Sequence, residues 1–558
     1  MSANRLIYLP LGGAGEIGMN AYVFGFGPAG KERLILVDLG VTFPDMDTSP
    51  GVDLILPDTG WLEARVDRLE AIFITHAHED HIGALGRLWP ALQKKVYCRR
   101  FTATIGRLKF DELGLPVDRI VVVEPRPARV EAGPFTVQFV PVSHSIPESS
   151  ALVIDTPAGR IFHSGDFKID HDPVVGEAWD DARMAQIVAE RPVKVMTCDS
   201  TNVFSTHEGR SESTLADPLT ELIRTSTGMV VATTFGSNVA RLKTLAEAAR
   251  AADRTICVLG RAMKKMIGAA EEAGVLAGFP RTVTPDEALD VPRRNLMLLV
   301  TGSQGERRAA SAQLSRGKYL GIEMKEGDSF LFSSKTIPGN EREVLRVWNA
   351  FSEMGVNVID DQAGRYHVSG HANRPDLEHV HRLVLPDMLI PMHGEHRHLR
   401  EHARLATEAG IAAVVATNGM MIDLTGDVPE VVEHVETGRV YLDGTALVGA
   451  LDGVVRDRIR MALNGHALVT VILDEADKPM GEPHQFDPGL AGTGRGDRPL
   501  AETIEADLAD FIDRAGRKLL QDDARLEEEI RRVLRQVAME EIGKKPEVTV
   551  VISRLVAE

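Results

Sequence analysis

The sequence predicts a multidomain α/β chain, and three observations carry that prediction. Residues 1 to about 200 are short apolar runs broken by Gly, Pro and Asp; residues 206–355 alternate apolar runs with helical stretches; the first pattern then returns.

In the first part, RLIYLPL, AYVFGF, RLILVDLG, AIFIT, KVYC, IVVV, FTVQFVPV, SALVIDT, RIFHSGD and VKVMTCD each have the β-branched character and turn-residue borders of a strand. Few helical patterns intervene; one is HIGALGRLWPAL. The middle part places helical stretches such as NVARLKTLAEAARAA between GMVVATTF, TICVLG, NLMLLVTG and SFLFSS. That is a βαβ rhythm, which implies a parallel sheet. Strand patterns resume in VNVID, LVLPDMLIPMH and AAVVATNG, so 206–355 is expected as an insertion into a domain formed by 1–205 and 356–447. Residues 448–558 should form a linker and a small α+β C-terminal domain. Its parts are VTVILDE, a polar stretch from Lys478 to Pro499, one long charged helical pattern from Ala501 to about Glu541, and EVTVVISRL. With few ways to bury both faces of these elements alone, that domain is expected to join subunits.

A chain of 558 residues exceeds what one core organises. Its 44% hydrophobic and 26% charged content exclude a mainly disordered polymer. Three scattered cysteines, Cys98, Cys198 and Cys257, suit neither a disulfide framework nor a thiolate cluster, and a reducing cytoplasm fits best. There is no signal-peptide pattern and no run of 18 apolar residues, so neither export nor membrane insertion is expected. The net charge of −18 excludes a generally basic nucleic-acid binder. Residues 206–355, however, hold 20 Lys and Arg against 18 Asp and Glu, near +2, and leave the remainder near −20. A polyanion would therefore run along this segment, past Arg261, Lys264, Lys265, Arg307, Arg308, Arg316 and Lys318.

GAGEIG at 13–18, with Asp38 about twenty residues on, satisfies the dinucleotide fingerprint. The following MNAYVFGFGPAGKERLILVDLG is two strands and a turn, which supplies no helix N-terminus for a pyrophosphate. A glycine turn bringing backbone close to a neighbouring site accounts for it better.

AIFITHAHEDHIGAL places His76, His78, Asp80 and His81 directly after an apolar strand. Alternate residues of an extended segment point the same way, so His76 and His78 can grip one ion while the turn into a helix offers Asp80 and His81 to a second. Further candidates also end apolar runs: His144 after FTVQFVPVS, Asp166 after RIFHSG and His393 after LVLPDMLIPM. Nitrogen and carboxylate donors without thiolate suit Zn²⁺ or Mn²⁺. His163 is expected to be structural.

HAHEDH, with LVDLG and its Asp38, resembles the metallo-β-lactamase superfamily. The resemblance implies an αββα sandwich holding two Zn²⁺ or Mn²⁺ per subunit. It assigns His76, His78 and His144 to one metal and Asp80, His81 and His393 to the other, with Asp166 bridging. The superfamily spans lactamases, glyoxalases, lactonases, flavodiiron proteins and nucleases. The inserted domain, Asp199 in CDSTN, His371 in HVSGHA and His393 in PMHGE resemble its β-CASP nuclease branch, in which a histidine at the last position goes with action on RNA. GGAGEIGMN, VTFPDMD, GDFKID, TGSQGE and MHGEHRHL narrow the resemblance, over about residues 8–445, to the bacterial ribonuclease J family.

That family implies 5′-to-3′ exoribonuclease and endoribonuclease activity in RNA maturation and mRNA decay. Its substrate is single-stranded RNA, preferably with a 5′-monophosphate. It further implies a homodimer or homotetramer and partners in an RNA-degradation complex. His371, held by Asp199, is the expected proton donor to the departing 3′-oxygen, and Asp80 and Asp38 tune the metal surroundings. His367, Val368, Ser369, Gly370 and His371 would form one wall of a 5′-phosphate pocket, with Phe235, Gly236 and Ser237 opposite. A structural Ca²⁺ is implied near Asp45, Asp47 and Asp443. Three competing readings are weaker. A small-molecule metallohydrolase has no use for the insertion, a catalytically silent scaffold does not explain a complete ligand set, and a DNA-specific nuclease does not explain His393.

Overall fold

The computed structural model describes residues 4–337, 339–361 and 364–555. Its described residues divide into two units, one drawn from 1–42 and 56–439, the other from 43–55 and 440–558.

In the first unit two sheets face each other. One has eight strands in the order Glu430–His434, Met420–Asp423, Asn4–Gly12, Ala21–Pro28, Arg33–Val37, Leu69–Phe73, Val96–Cys98 and Ile120–Val122. The other has seven, Ala412–Ala413, Met388–Met392, Val193–Asp199, Gly159–His163, Ser150–Thr156, Phe135–Pro141 and Val130–Ala132. Tyr8, Phe24, Ile35 and Phe73 from the first meet Phe139, Leu152, Ile154 and Ile390 from the second in one buried core. The alternate residues Ala151, Val153, Met196 and Cys198 face outward and are covered by helices Asp181–Glu190, Arg374–Val384 and His396–Glu408. Burial of both faces explains why these strands read as continuous apolar runs.

The inserted residues, with Asn357–Ile359 just beyond them, form a six-stranded, all-parallel sheet ordered Thr282–Val283, Thr255–Leu259, Leu296–Val300, Val230–Thr233, Ser329–Phe332, Asn357–Ile359. VNVID thus closes this sheet and does not resume the flanking domain, because helix Glu341–Glu353 returns the chain to pair beside Ser329–Phe332. Its core joins Met229, Leu298, Phe330 and Phe351. Helix Val239–Ala251 starts where the Asn238 side chain accepts the Arg241 N–H at 2.9 Å.

In the second unit, strands His484–Phe486, His466–Leu473 and Glu547–Arg554 form a sheet in that order. Two features here differ from the sequence pattern. The polar stretch contains the edge strand His484–Phe486, because backbone pairing to Leu468 and Thr470 needs no apolar side chain. The long charged helical pattern divides into Leu500–Arg514, Arg517–Leu520 and Asp523–Ile542, the last restarted by the Asp522 side chain accepting the Arg525 N–H at 3.1 Å. Division lets Ile504, Leu508 and Ile512 pack against Ile530 and Leu534, over Val469 and Val471. The domain thus owns a core. The opposite sheet face leaves Phe486, Val551 and Ile472 exposed. Likewise HIGALGRLWPAL is two helices, Glu79–Ile82 and Leu85–Leu92, and of AAVVATNG only Ala412–Ala413 pairs as a strand.

Candidate metal centre

Each candidate ligand leaves a strand end at the rim of the sandwich. His76, His78, Asp80 and His81 follow Leu69–Phe73; His144 follows Phe135–Pro141; Asp166 follows Gly159–His163; His393 follows Met388–Met392. Two groups result, His76, His78, His144 with Asp166, and Asp80, His81, His393 with Asp166. Within the first, His78 Nδ1 lies 3.1 Å from both His76 Nε2 and His144 Nε2. Asp166 Oδ2 is 3.1 Å from His81 Nε2, 3.2 Å from His393 Nε2, 3.8 Å from His76 Nε2 and 4.0 Å from His144 Nε2. Asp166 Oδ1 is buried without a hydrogen-bond partner.

Outer contacts fix which ring nitrogens face inward. His81 Nδ1 is 2.8 Å from Asp38 Oδ2, His144 Nδ1 is 2.5 Å from the Gly370 carbonyl, His393 Nδ1 is 2.9 Å from Asn20 Oδ1 and His76 Nδ1 is 3.0 Å from Thr75 Oγ1. Asp38 in turn accepts the Thr75 N–H at 2.8 Å and the Thr75 hydroxyl at 2.9 Å. With Nδ1 protonated toward these acceptors, each Nε2 presents a lone pair inward, as in carboxylate–histidine–metal arrangements. Converging lone pairs repel unless a cation sits among them, and the orphaned Asp166 oxygen needs the same partner. The donor set therefore fits two divalent cations of the nitrogen- and oxygen-binding class.

Electrostatics agree. Burial, reinforced by neighbouring imidazoles, holds His76 and His144 well below the usual imidazole range, and burial brings His78 to about 4, so all three are neutral donors. His81 departs from this: against the burial penalty, Asp166, Asp80 and Asp38 raise it well above its ordinary value. The pocket selects positive charge at that point. Burial likewise opposes ionisation of Asp166, but His393 and His81 hold its carboxyl well below the usual range.

Two site residues have left-handed backbone, Asp38 at φ 63° and His393 at φ 51°. Such conformations cost about 1–3 kcal/mol and persist where surroundings impose them. Here Asp38 N–H donates to the Phe73 carbonyl and His393 N–H to the Gly13 carbonyl, both at 2.8 Å. Gly13 belongs to the GAGEIG turn, which no helix follows: strand Ala14–Gly15 leads to Ala21–Pro28. At φ 78°, a Cβ on Gly13 would lie 2.2 Å from Asn20 Oδ1, so the glycine permits the turn to reach the site.

Beside the cluster, His371 Nδ1 lies 2.7 Å from Asp199 Oδ2 and 4.0 Å from Asp166 Oδ2. Burial disfavours its cation, but Asp199 outweighs this and raises His371 to about 9. Ser369 Oγ accepts from Asn202 Nδ2 at 2.7 Å and from the His371 N–H at 3.2 Å. Phe235, Gly236 and Ser237 follow strand Val230–Thr233 and are half-buried. The end of that strand is tied to the residue before the His367–His371 segment by Ser333, whose N–H donates to the Thr233 carbonyl at 2.9 Å and whose hydroxyl donates to the Tyr366 carbonyl at 2.7 Å. No direct contact joins Phe235, Gly236 or Ser237 to Val368 or Gly370 among the hydrogen bonds and ring contacts of the described residues.

Three participants were not singled out from sequence. Asn20 donates to the Asp80 carbonyl at 2.9 Å while accepting from His393, and its signal was its place closing GGAGEIGMN. Thr75 links Asp38 to His76. Arg241, fully buried, pairs with Glu212 and reaches the Ser333 carbonyl at 2.9 Å and His367 Nδ1 at 3.1 Å. An arginine inside an Ala- and Leu-rich helical pattern was its only signal. His163 is structural: its Nδ1 lies 2.8 Å from Thr197 Oγ1 and its ring packs against Tyr22 and Phe24.

The remaining candidates are elsewhere. Asp45 accepts the Asp47 and Thr48 N–H groups at 2.8 and 2.7 Å, whereas Asp443 pairs with Arg458 at 2.5 Å. Arg261, Lys264, Arg307, Arg308, Arg316 and Lys318 are exposed, and Lys265 pairs with Glu112 at 2.5 Å.

Family models match along the chain: the metallo-beta-lactamase superfamily over 15–195, the ribonuclease J beta-CASP domain over 227–351, the Zn-dependent metallo-hydrolase RNA specificity domain over 362–416 and the ribonuclease J C-terminal domain over 453–555. A crystal structure of a protein of unknown function from Enterococcus faecalis shares the fold, with TM-score 0.51 and 16% identity over 75% of this chain and 100% of that one. Ribonuclease J of Mycolicibacterium smegmatis is 36% identical over 89% of both chains, and that of Helicobacter pylori is 31% identical over 96% of this chain and 78% of its own. Ribonuclease J of Sinorhizobium meliloti is 39% identical over 99% of this chain and 98% of its own length, and on that likeness the chain belongs to the ribonuclease J family.

Proposed function

We propose that this chain is a metal-dependent ribonuclease, cutting RNA both from the 5′ end and internally, in RNA maturation and decay. The observation that carries the reading is the pair of donor groups sharing Asp166, flanked by the His371–Asp199 pair, in a chain of this family. His76, His78, His144 and Asp166 would hold one cation, and Asp80, His81, His393 and Asp166 the other, as Zn²⁺ or Mn²⁺. Such a pair supplies Lewis acidity toward a phosphoryl group and acidifies water.

The chain's own residues supply the rest. Asp199 keeps a proton on His371, which stands at the rim of the cluster to deliver it to the departing 3′-oxygen. Asn20, Thr75 and Asp38 hold the donor rings so that little reorganisation accompanies the reaction. Ser369 and the backbone of His367–His371 would receive a 5′-monophosphate, with Gly236, Ser237 and the ring of Phe235 opposite. Hydroxyls and turn N–H groups bind phosphate without a large basic surface, which suits a chain of net charge −18.

We assign 1–205 and 356–447 to the catalytic domain, apart from strand Asn357–Ile359, which joins the sheet of the inserted domain 206–355, and apart from 43–55 and 440–447, which group with the linker and C-terminal domain 448–558. The exposed apolar face around Phe486, Val551 and Ile472 supports subunit association through the last, as a dimer or tetramer. A Ca²⁺ near Asp45, Asp47 and Asp443 would have to displace Arg458 from Asp443. No helix is long and apolar enough to cross a membrane among the described residues; we place the protein in the cytoplasm, with RNA-degradation partners.

The test is incubation with Mn²⁺ or Zn²⁺ and end-labelled RNA or DNA bearing a 5′-monophosphate, 5′-triphosphate or 5′-hydroxyl. Metal-dependent mononucleotide release from 5′-monophosphorylated RNA is expected. Equal cutting of DNA, or none of RNA, would overturn the reading.

A further inference from the structure

A second donor cluster lies on the outer face of the seven-stranded sheet. Side chains alternate along Val193–Asp199, so while Asp199 turns to His371, Cys198 points the other way, into the layer under the helices Arg374–Val384 and His396–Glu408. Each helix contributes one histidine there, His381 and His402. Cys198 Sγ and one nitrogen of each imidazole lie within 4.8 Å of one another, and the three residues are 0%, 2% and 0% exposed.

His402 is oriented as a ligand, and His381 faces it with its Nδ1 buried and without a hydrogen-bond partner. His381 Nε2 and His402 Nε2 are 3.0 Å apart, with ring planes 10° from parallel. The Ser200 hydroxyl donates to the Cys198 carbonyl at 3.3 Å, so its oxygen accepts from His402 Nδ1, 2.9 Å away. That bond fixes the proton of His402 on Nδ1 and leaves Nε2 bare toward His381. Burial lowers His381 to about 4 and His402 well below the ordinary value, so both are neutral donors. Two facing nitrogens are reconciled by one shared proton or one shared cation. A shared proton has no need of a thiol beside it, and the thiol is present.

We propose that Cys198, His381 and His402 form a third metal site, for a borderline-soft cation of the Zn²⁺ class. Zn–N bonds of about 2.0–2.1 Å and Zn–S bonds of about 2.3 Å bring donors to roughly 3.3–3.7 Å from one another; the imidazole nitrogens stand 3.0 Å apart and Cys198 Sγ lies within 4.8 Å of them, so the site closes on an ion by small side-chain shifts. Binding forms one S–metal and two N–metal bonds, and the Cys198 thiol releases its proton to solvent. The site would brace the strand end carrying Asp199 against the helices that start three residues after His371 and His393.

The catalytic cluster has only nitrogen and oxygen donors, so sulfur ligation reports on this site alone. The full chain is stripped with a chelator and refilled with Co²⁺. A near-ultraviolet sulfur-to-cobalt charge-transfer band is expected, lost in Cys198→Ser and His381→Gln and kept when Cys98→Ser and Cys257→Ser leave Cys198 as the only thiol. Zn²⁺ content of Cys198→Ser should fall by one ion per chain. No band in the unsubstituted chain, or loss of the band in the double variant, would overturn the proposal even if Cys198→Ser fails to fold. An unchanged Zn²⁺ content in a folded Cys198→Ser variant would overturn it too.

Discussion

Asn20 offers the most direct test of how the metal centre is held. Its carbonyl oxygen accepts from His393 Nδ1 at 2.9 Å and from the Tyr22 hydroxyl at 2.7 Å, and its amide donates to the Asp80 carbonyl at 2.9 Å. Asn20→Leu keeps the volume and removes these bonds and the 2.9 Å contact of the amide with His81 Nε2; it leaves His393 Nδ1 without its partner, whereas the Asp80 carbonyl keeps the backbone N–H of residue 20 at 3.0 Å and the Tyr22 hydroxyl keeps the Gly13 carbonyl at 3.2 Å. One buried group left unsatisfied costs about 1–3 kcal/mol, which is the stability loss expected. The larger signature is in metal binding. With Nδ1 released, His393 no longer needs to present Nε2, and loss of such an outer partner typically costs about 10–100-fold in metal affinity. Thermal denaturation gives the first quantity, and activity titrated against Zn²⁺ or Mn²⁺ gives the second. The titration curve should shift to higher metal while turnover at saturation stays close to that of the unsubstituted chain. A curve at the original position, with stability unchanged, would refute the orienting role. Collapse of saturated turnover with unchanged metal affinity would place Asn20 in the chemistry instead.

Other outcomes follow from the same geometry. Asp80→Ala with His81→Ala should abolish hydrolysis while RNA still binds, measured by product formation and by a gel-shift titration; near-normal turnover would sink the two-cation assignment. Asp199 raises His371 to about 9 against burial in the metal-free chain, and cations beside it would lower that value, so turnover should decline as pH rises through a point below about 9 where His371 loses its proton. Asp199→Asn removes the raising charge and should move that decline to lower pH; a decline that stays in place contradicts the pairing. Ser369→Glu puts charge and volume where a 5′-phosphate would sit, a repulsion on the order of a few kcal/mol at partly buried range. It also disturbs the bonds from Asn202 and the His371 N–H, which Ser369→Ala controls for. The ratio of mononucleotide to longer products should fall for Glu well beyond its fall for Ala, and an unchanged ratio excludes the pocket. Truncation after Val448 should give monomers by light scattering, and an unchanged oligomer would put the interface elsewhere.

Much of the site was legible because the chemistry is concentrated in few residues. His76, His78, Asp80 and His81 fall within six positions after one strand, and a core has no reason to place them there. His144, Asp166 and His393 were weaker singly, and each was legible as the polar end of an apolar run. Of the residues around these rings, Asp38 was legible and the others were not. Asn20, Thr75 and Arg241 are ordinary in their local sequence, and they act through partners 60, 37 and 126 positions away, Asp80, Asp38 and His367.

The C-terminal domain shows the same division from the fold side. Period and composition gave its strands and helical character, yet Ala501 to about Glu541 reads as one long charged helical pattern, whereas the structure divides it around Gly516. Only the chance to bury Ile504 and Leu508 against Ile530 and Leu534 decides that the chain turns back. By itself, then, the sequence determined strand and helix character, the βαβ rhythm of the insertion and which residues stand as candidate donors, since these depend on neighbours in the chain. The tertiary structure decided which imidazole nitrogen faces inward, that Gly13 must lack a side chain for Asn20 to reach His393, and that Cys198 meets His381 and His402 behind the site. Those outcomes rest on contacts between residues up to about 370 positions apart, whose distances no local periodicity encodes.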